Sequence, residues 1–226
     1  MRFIFLLITC IVLFGKPVAA QISQGGKPMQ NVQLKSKGVP IVTMPGVNNL
    51  LLKQKASVEQ SSGASLKPFH FAHPFHVQIS PSVDGVWSPA VDGYTVWKVK
   101  IHSSGAQSIN LIFENFHLPV GARLFVFNEK ESHYLGAYTA FNNKAGGKFA
   151  ISPVRGDEVT VQCEVPAEQK NNIDFIISQV NHDFEGVLKY DERRPLNKTA
   201  GSCNIDINCI EAEDWKDVKD AVCRII

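Results

Sequence analysis

The sequence predicts an all-β protein built around a jelly-roll-like β-sandwich, on three observations within residues 67–187. Short stretches alternate apolar and polar residues, turn chemistry separates them, and no long amphipathic helical pattern interrupts them. In order, "WKVKIH" sets Trp97, Val99 and Ile101 against Lys98, Lys100 and His102. That period of two is the mark of a half-buried strand. "SINLIF" follows, with Ile109, Leu111 and Phe113 on one face. "LPVG" supplies a turn, and "ARLFVF" the next strand. "YLGAYT", "KFAIS", "EVTVQCEV" and "IDFIISQV" complete the set, divided by turns such as "NNKAGGK" and "VRGDE". In "EVTVQCEV", Val159, Val161, Cys163 and Val165 share the apolar face, so Cys163 reads as a small buried hydrophobe.

The flanks differ in character. Met1-Arg2, an apolar run from Phe3 to Phe14 broken only by Thr9, and "KPVAA" read as a signal peptide over 1–20, too short to span a bilayer, cleaved between Ala20 and Gln21. Cys10 lies mid-way through the apolar run, after bulky Ile8 and Thr9, which argues against a lipid anchor. Residues 21–66 are polar and Gly/Ser/Gln-rich around one apolar patch, "GVPIVTMPGVNNLLL". They are expected to form a partly disordered arm with a docking segment. Pro40 and Pro45 disfavour a long helix or central strand there. Residues 188–200, "LKYDERRPLNKTA", read as an exposed linker, and 201–226 carry the remaining cysteines.

Composition narrows the function classes. The 23 basic and 21 acidic residues become equal once Arg2 and Lys16 leave with the leader. Such a chain has no electrostatic footprint for nucleic acid or an anionic membrane. Roughly 205 residues remain after cleavage, enough for one core or a little more. Export places the cysteines in an oxidising setting.

In "FHFAHPFH", an extended chain points His70 and His76 one way and His73 the other, and Pro74 prevents a helix from gathering them. No metal site and no cofactor are expected. No "GDSGG" or "GxSxG" context surrounds a serine; Ser103-Ser104 and "SPVRGDE" read as turns, which also accounts for the "RGD" at 155–157. "NKT" at 197–199 is a glycosylation sequon. Cys203 and Cys209 flank "NIDIN" in a polar setting, where a local loop disulfide is one reading; their spacing is not that of a CxxC zinc pair. "WKDVKDAV" has helical spacing through Trp215, Val218 and Val222, while "DAVCRII" around Cys223 reads equally as a strand.

"GSCNIDINC", the acidic stretch with Trp215 and "AVCRII" resemble the start of the mature catalytic domain in bacterial lysyl-endopeptidase-like, trypsin-fold serine proteases. "GGKP", "VPIVTMP", "LPVGARLFVFN", "VRGDEVTVQ" and "QVNHDFEGV" look like that family's secreted N-terminal pro-region. The resemblance covers nearly the whole chain after the leader. Ile210 departs from the family's Pro after the second Cys, and Cys223 stands where an aliphatic residue is usual. The resemblance implies that residues 201–226 open a truncated trypsin-like barrel and that Cys203 and Cys209 bond to partners outside the chain. It also implies that the catalytic triad lies downstream, so that no catalytic residue is in this chain and the chain alone is inactive.

The expectation is therefore the exported pro-region of a lysine-directed endopeptidase, with its own downstream protease domain as partner and peptide substrates for the full-length parent. Lys198 and Thr199 flank the expected processing site, because a lysine-directed enzyme could cut there itself and exposed linkers are readily nicked. Neither nucleic acid nor membrane is an expected partner. The alternative is a free-standing secreted sandwich that binds carbohydrate or acts in adhesion.

Overall fold

In the computed structural model, residues 23–30, 38–61, 69–130 and 132–189 are described. The strands are β1 (Ile41–Thr43), β2 (Ala72–Ile79), β3 (Val86–Pro89), β4 (Tyr94–His102), β5 (Ser108–His117), β6 (Arg123–Asn128), β7 (Tyr134–Tyr138), β8 (Phe149–Ala150), β9 (Val154–Arg155), β10 (Glu158–Pro166) and β11 (Asp174–Asp183). One helix, α1, spans Asn49–Ser61. Among the described residues the strands form two sheets. Sheet A runs β1-β4-β10-β6-β7, with β3 sharing the β1 edge of β4; sheet B runs β2-β11-β5-β8, with β9 sharing the β8 edge of β5. The molecule is thus an all-β sandwich.

The alternation read from sequence fixes which side of each strand is inside. Trp97, Val99 and Ile101 of β4, Ile109, Leu111 and Phe113 of β5, and Val159, Val161, Cys163 and Val165 of β10 are all fully buried in one core. Aromatic rings join the sheets: Phe175 meets Trp97 edge-on at 5.5 Å and Phe149 meets Tyr138 at 4.9 Å, while within sheet B Phe175 also meets Phe113 at 5.7 Å. Such pairs stabilise by about 0.5–1.5 kcal/mol beyond the area they bury. Cys163 forms no disulfide with another described residue, and burial pushes its thiol up, so it is inert. The chain crosses from β2 to β3 through a tight turn at residues 80–85. Asp84 Oδ2 accepts from the Ser80 N–H at 3.0 Å, and Gly85 takes φ +75°, where a Cβ would stand 2.5 Å from the Lys98 carbonyl oxygen.

The expected arm makes regular structure. Between Pro40 and Pro45, β1 joins the sheet A edge parallel to β4, with Val42 opposite Ile101. An edge tolerates flanking prolines because only one side of the strand must pair. After Pro45, the Asn48 side chain accepts the Leu51 N–H at 3.1 Å and starts α1. The sequence reading assigned neither element, because the apolar patch shows no clean period and is interrupted by Pro40 and Pro45.

Candidate functional site

The site residues expected from sequence, Ala20, Gln21, Lys198, Thr199, Cys203 and Cys209, all lie outside the described residues. The last described residues leave the sandwich through a fixed exit. Asp183, at the end of β11, accepts from the N–H groups of Glu185 (2.9 Å), Gly186 (2.7 Å) and Val187 (3.0 Å) and from Ser108 Oγ (2.5 Å). A carboxylate satisfied by several donors holds its loop firmly, and Lys189 Nζ then reaches Gln107 Oε1.

Beside this exit lies a serine-histidine pair. Ser103 Oγ is 2.8 Å from His182 Nδ1, and His182 Nε2 is 2.8 Å from Asn49 Oδ1. The amide oxygen can only accept, so Nε2 carries the proton and Nδ1 accepts from the Ser103 hydroxyl. This looks like a nucleophile with its base, but both residues are fully buried, and no substrate carbonyl can approach. The pair is a clamp: Asn49 also donates to the Gly105 carbonyl at 2.9 Å, so the first turn of α1 is tied to the end of both sheets. Burial holds His182 below its ordinary pKa, and nearby His73 pushes the same way while Asp183 opposes. Ser103 itself opens a turn, its carbonyl accepting from the Ala106 N–H at 3.0 Å, as the sequence predicts.

The other singled-out motifs resolve simply. His73 faces inward with Phe75, its ring edge-on at 4.9 Å, and His76 faces out. His70 lies against Phe184 and 3.6 Å from Glu59. Arg155-Gly156-Asp157 makes the turn from β9 into β10, Gly156 adopting φ +106°, with the Asp157 carbonyl accepting from the Ser103 N–H at 2.8 Å.

The outer faces of the two sheets are the remaining surfaces. On sheet A, Thr160, Gln162 and Glu164 point away from the core yet are buried, because residues 23–30 cross over them. Glu164 Oε1 accepts the Met29 N–H at 2.5 Å, and Gln162 Nε2 donates to Glu164 Oε1 at 2.9 Å and to the Met29 carbonyl at 3.1 Å. Arg123 Nη2 lies 2.6 Å from Glu164 Oε2. Phe125, Phe127 and Ala137 pack beside them as a second, smaller apolar cluster. Farther along, the Gln24 N–H donates to the Ala137 carbonyl and the Ala137 N–H to the Gly25 carbonyl, both at 2.9 Å, which closes the free edge of β7.

On sheet B the outer face forms an open groove of ≈ 670 Å³. Its floor is a file of side-chain amides. Gln179 Nε2 donates to Asn181 Oδ1 at 2.7 Å, Asn181 Nδ2 donates to Asn110 Oδ1 at 2.5 Å, and Asn110 Nδ2 donates to the Ile151 carbonyl. That carbonyl can only accept, so it sets the orientation of all three amides. Phe69 and Phe71, stacked at 6.3 Å, form one wall with Pro74. Gln179 and Asn181 reach this face through a β-bulge: the pairing of β11 with β5 shifts between Ile177, opposite Phe113, and Gln179, opposite Ile112. The extra residue reverses the parity of the strand. Phe175 and Ile177 point inward before it, Val180 and His182 after it. The sequence reading did not identify this groove, whose residues come from separate strands.

No family model matches the chain. Among solved structures, the chain is similar to the crystal structure of Aeromonas hydrophila PliG, a periplasmic lysozyme inhibitor of g-type lysozyme, at 9% identity and a TM-score of 0.22, over 63% of this chain and 95% of that one. A likeness at that level carries no argument about function. Among the described residues no helix is long and apolar enough to cross a membrane.

Proposed function

We propose that this chain is the exported N-terminal region of a trypsin-like serine endopeptidase directed to lysine, with the sandwich as a pro-domain and residues 201–226 as the opening of the catalytic domain. The observation that carries the reading is the "GSCNIDINC" motif placed directly after "LNKTA". The geometry is compatible with a pro-domain that is separate from its enzyme: Asp183 and its loop terminate the sandwich just before the polar linker begins. Export follows from the leader read at 1–20. In this scheme the sandwich folds first and stays joined to the protease until the linker is cut between Lys198 and Thr199. Catalysis belongs to the triad of the parent enzyme, because the Ser103–His182 pair is sealed in the core.

The test is N-terminal sequencing of the secreted parent enzyme, alone and as Lys198→Gln. A mature form beginning at Thr199, absent or strongly delayed in the variant, supports the reading. Normal processing in the variant removes self-cleavage at this lysine, and a mature enzyme beginning upstream of the sandwich removes the pro-domain assignment.

A further inference from the structure

We infer that the groove on the outer face of sheet B is a binding site for a neutral oligosaccharide. This goes beyond the pro-domain reading and stands independently of it.

Charge is the first ground. Among the described residues lining the groove, none is Asp, Glu, Lys or Arg. A phosphorylated, sulfated or acidic ligand would find only the His70 imidazole, which lies 3.6 Å from Glu59, and a cation would find no lining carboxylate. A net-neutral ligand rich in hydrogen-bonding groups is what the surface can satisfy.

The amides are the second ground. Each primary amide has two donor hydrogens and an oxygen with two lone pairs. The file uses one hydrogen on each of Gln179, Asn181 and Asn110, and one lone pair on each of Asn181 and Asn110. The second hydrogens, the second lone pairs and the whole of Gln179 Oε1 have no described partner. The result is a row of alternating donors and acceptors whose orientations are already fixed by the Ile151 carbonyl. Vicinal hydroxyls, each both donor and acceptor, match such a row. Pre-set orientation also lowers the entropy lost on binding.

Shape is the third ground. The floor crosses β2, β11, β5 and β8, and three interstrand spacings span about 14 Å. That length suits a short run of sugar rings. Phe71 and Pro74 offer an apolar wall for the C–H face of a pyranose, while the amides take its hydroxyl edge. Apolar walls with a few placed polar groups are the usual make-up of a small-ligand site. The β-bulge is the device that delivers the polar groups here.

The test is calorimetric titration of the full chain with cellohexaose, chitohexaose, maltohexaose and mannohexaose, and with a peptide of residues 188–200 as a competing class. Saturable binding of at least one hexasaccharide, with a Kd between about 10 μM and 1 mM, is expected. Gln179→Ala, which removes the amide at the head of the file, should weaken it at least about tenfold. Ile112→Trp, which fills the groove and leaves the file intact, should abolish it. Both variants should keep the thermal midpoint of the parent. Absence of binding by every hexasaccharide, binding that survives both variants, or saturable binding of the peptide alone would each overturn the inference. None of these outcomes touches the processing at Lys198, so the two readings fail separately.

Discussion

The outer faces of sheets A and B both carry polar side chains in strand positions that point away from the core, and use them in opposite ways. On sheet A, Gln162 and Glu164 are sealed under residues 23–30; their hydrogen bonds go to the Met29 backbone and to each other, and Glu164 is ion-paired with Arg123. On sheet B, Gln179, Asn181 and Asn110 bond mainly to one another, over a groove that the described residues leave open. Polar groups that must be satisfied once buried hold the fold together, and removing a partner is costly. Polar groups with capacity to spare cost little to remove and are available to a ligand. The same residue types therefore serve architecture on one face and recognition on the other.

The largest effect should come from breaking the sheet A side. Arg123→Met leaves the fully buried Glu164 carboxylate without its cation. The loss in unfolding free energy should be about 3 kcal/mol, the lower end for a broken buried pair because Arg123 is partly exposed. Urea denaturation measures it, and a loss below about 1 kcal/mol would mean that residues 23–30 do not seal the pair.

Next comes the seam between the faces, at His182. Burial holds its folded pKa below the ordinary imidazole value of about 6.5, so below that pH the unfolded chain binds the extra proton more readily. The stabilising contribution is whole above pH 6.5 and is lost as the pH falls toward the folded value, at no more than about 1.4 kcal/mol per pH unit for one proton. His133, also lowered by burial and by Arg155, acts in the same direction. The charged and titratable groups on His182 are His73 and Asp183. His182→Gln should flatten the slope of stability against pH by about one proton, and hydrogen exchange in the first turn of α1 should quicken in the parent below that window. An unchanged slope in the variant would show that His182 is not the group titrating.

The smallest effect sharpens the sheet B side. Gln179→Ser should change stability by no more than about 0.5 kcal/mol, because the amide supports only its neighbour. A cost comparable to that of Arg123→Met would make the amide file structural and dissolve the contrast.

Much of this fold was legible from residues alone. Strict alternation in "WKVKIH", "SINLIF" and "EVTVQCEV" named the buried face of β4, β5 and β10, since a period of two has only one way to place those side chains in a core. The burial of Gln162 and Glu164 was not legible, because the segment covering them lies more than 130 residues away in sequence. Nor was the amide file: alternation carried along "DFIISQVN" groups Gln179 and Asn181 with Phe175 and Ile177, and only the bulge separates them. Helix α1 was hidden for another reason. Leu50, Leu51 and Val58 remain exposed, so its apolar residues mark no single buried stripe. The sites expected at Lys198, Cys203 and Cys209 rest on motif alone.

The strand order also sets a timetable for a chain made from its N-terminus. β10 lies between β4 and β6, and β11 between β2 and β5, so the two strands made last are central to their sheets. Until Pro166 has emerged sheet A has edges but no middle, and sheet B stays without its middle until Asp183. Long-range pairing of this kind folds slowly and keeps the apolar strands accessible to chaperones while they wait. Any segment that follows begins only after the sandwich has become able to fold, so the order of synthesis alone gives this domain precedence over what comes next.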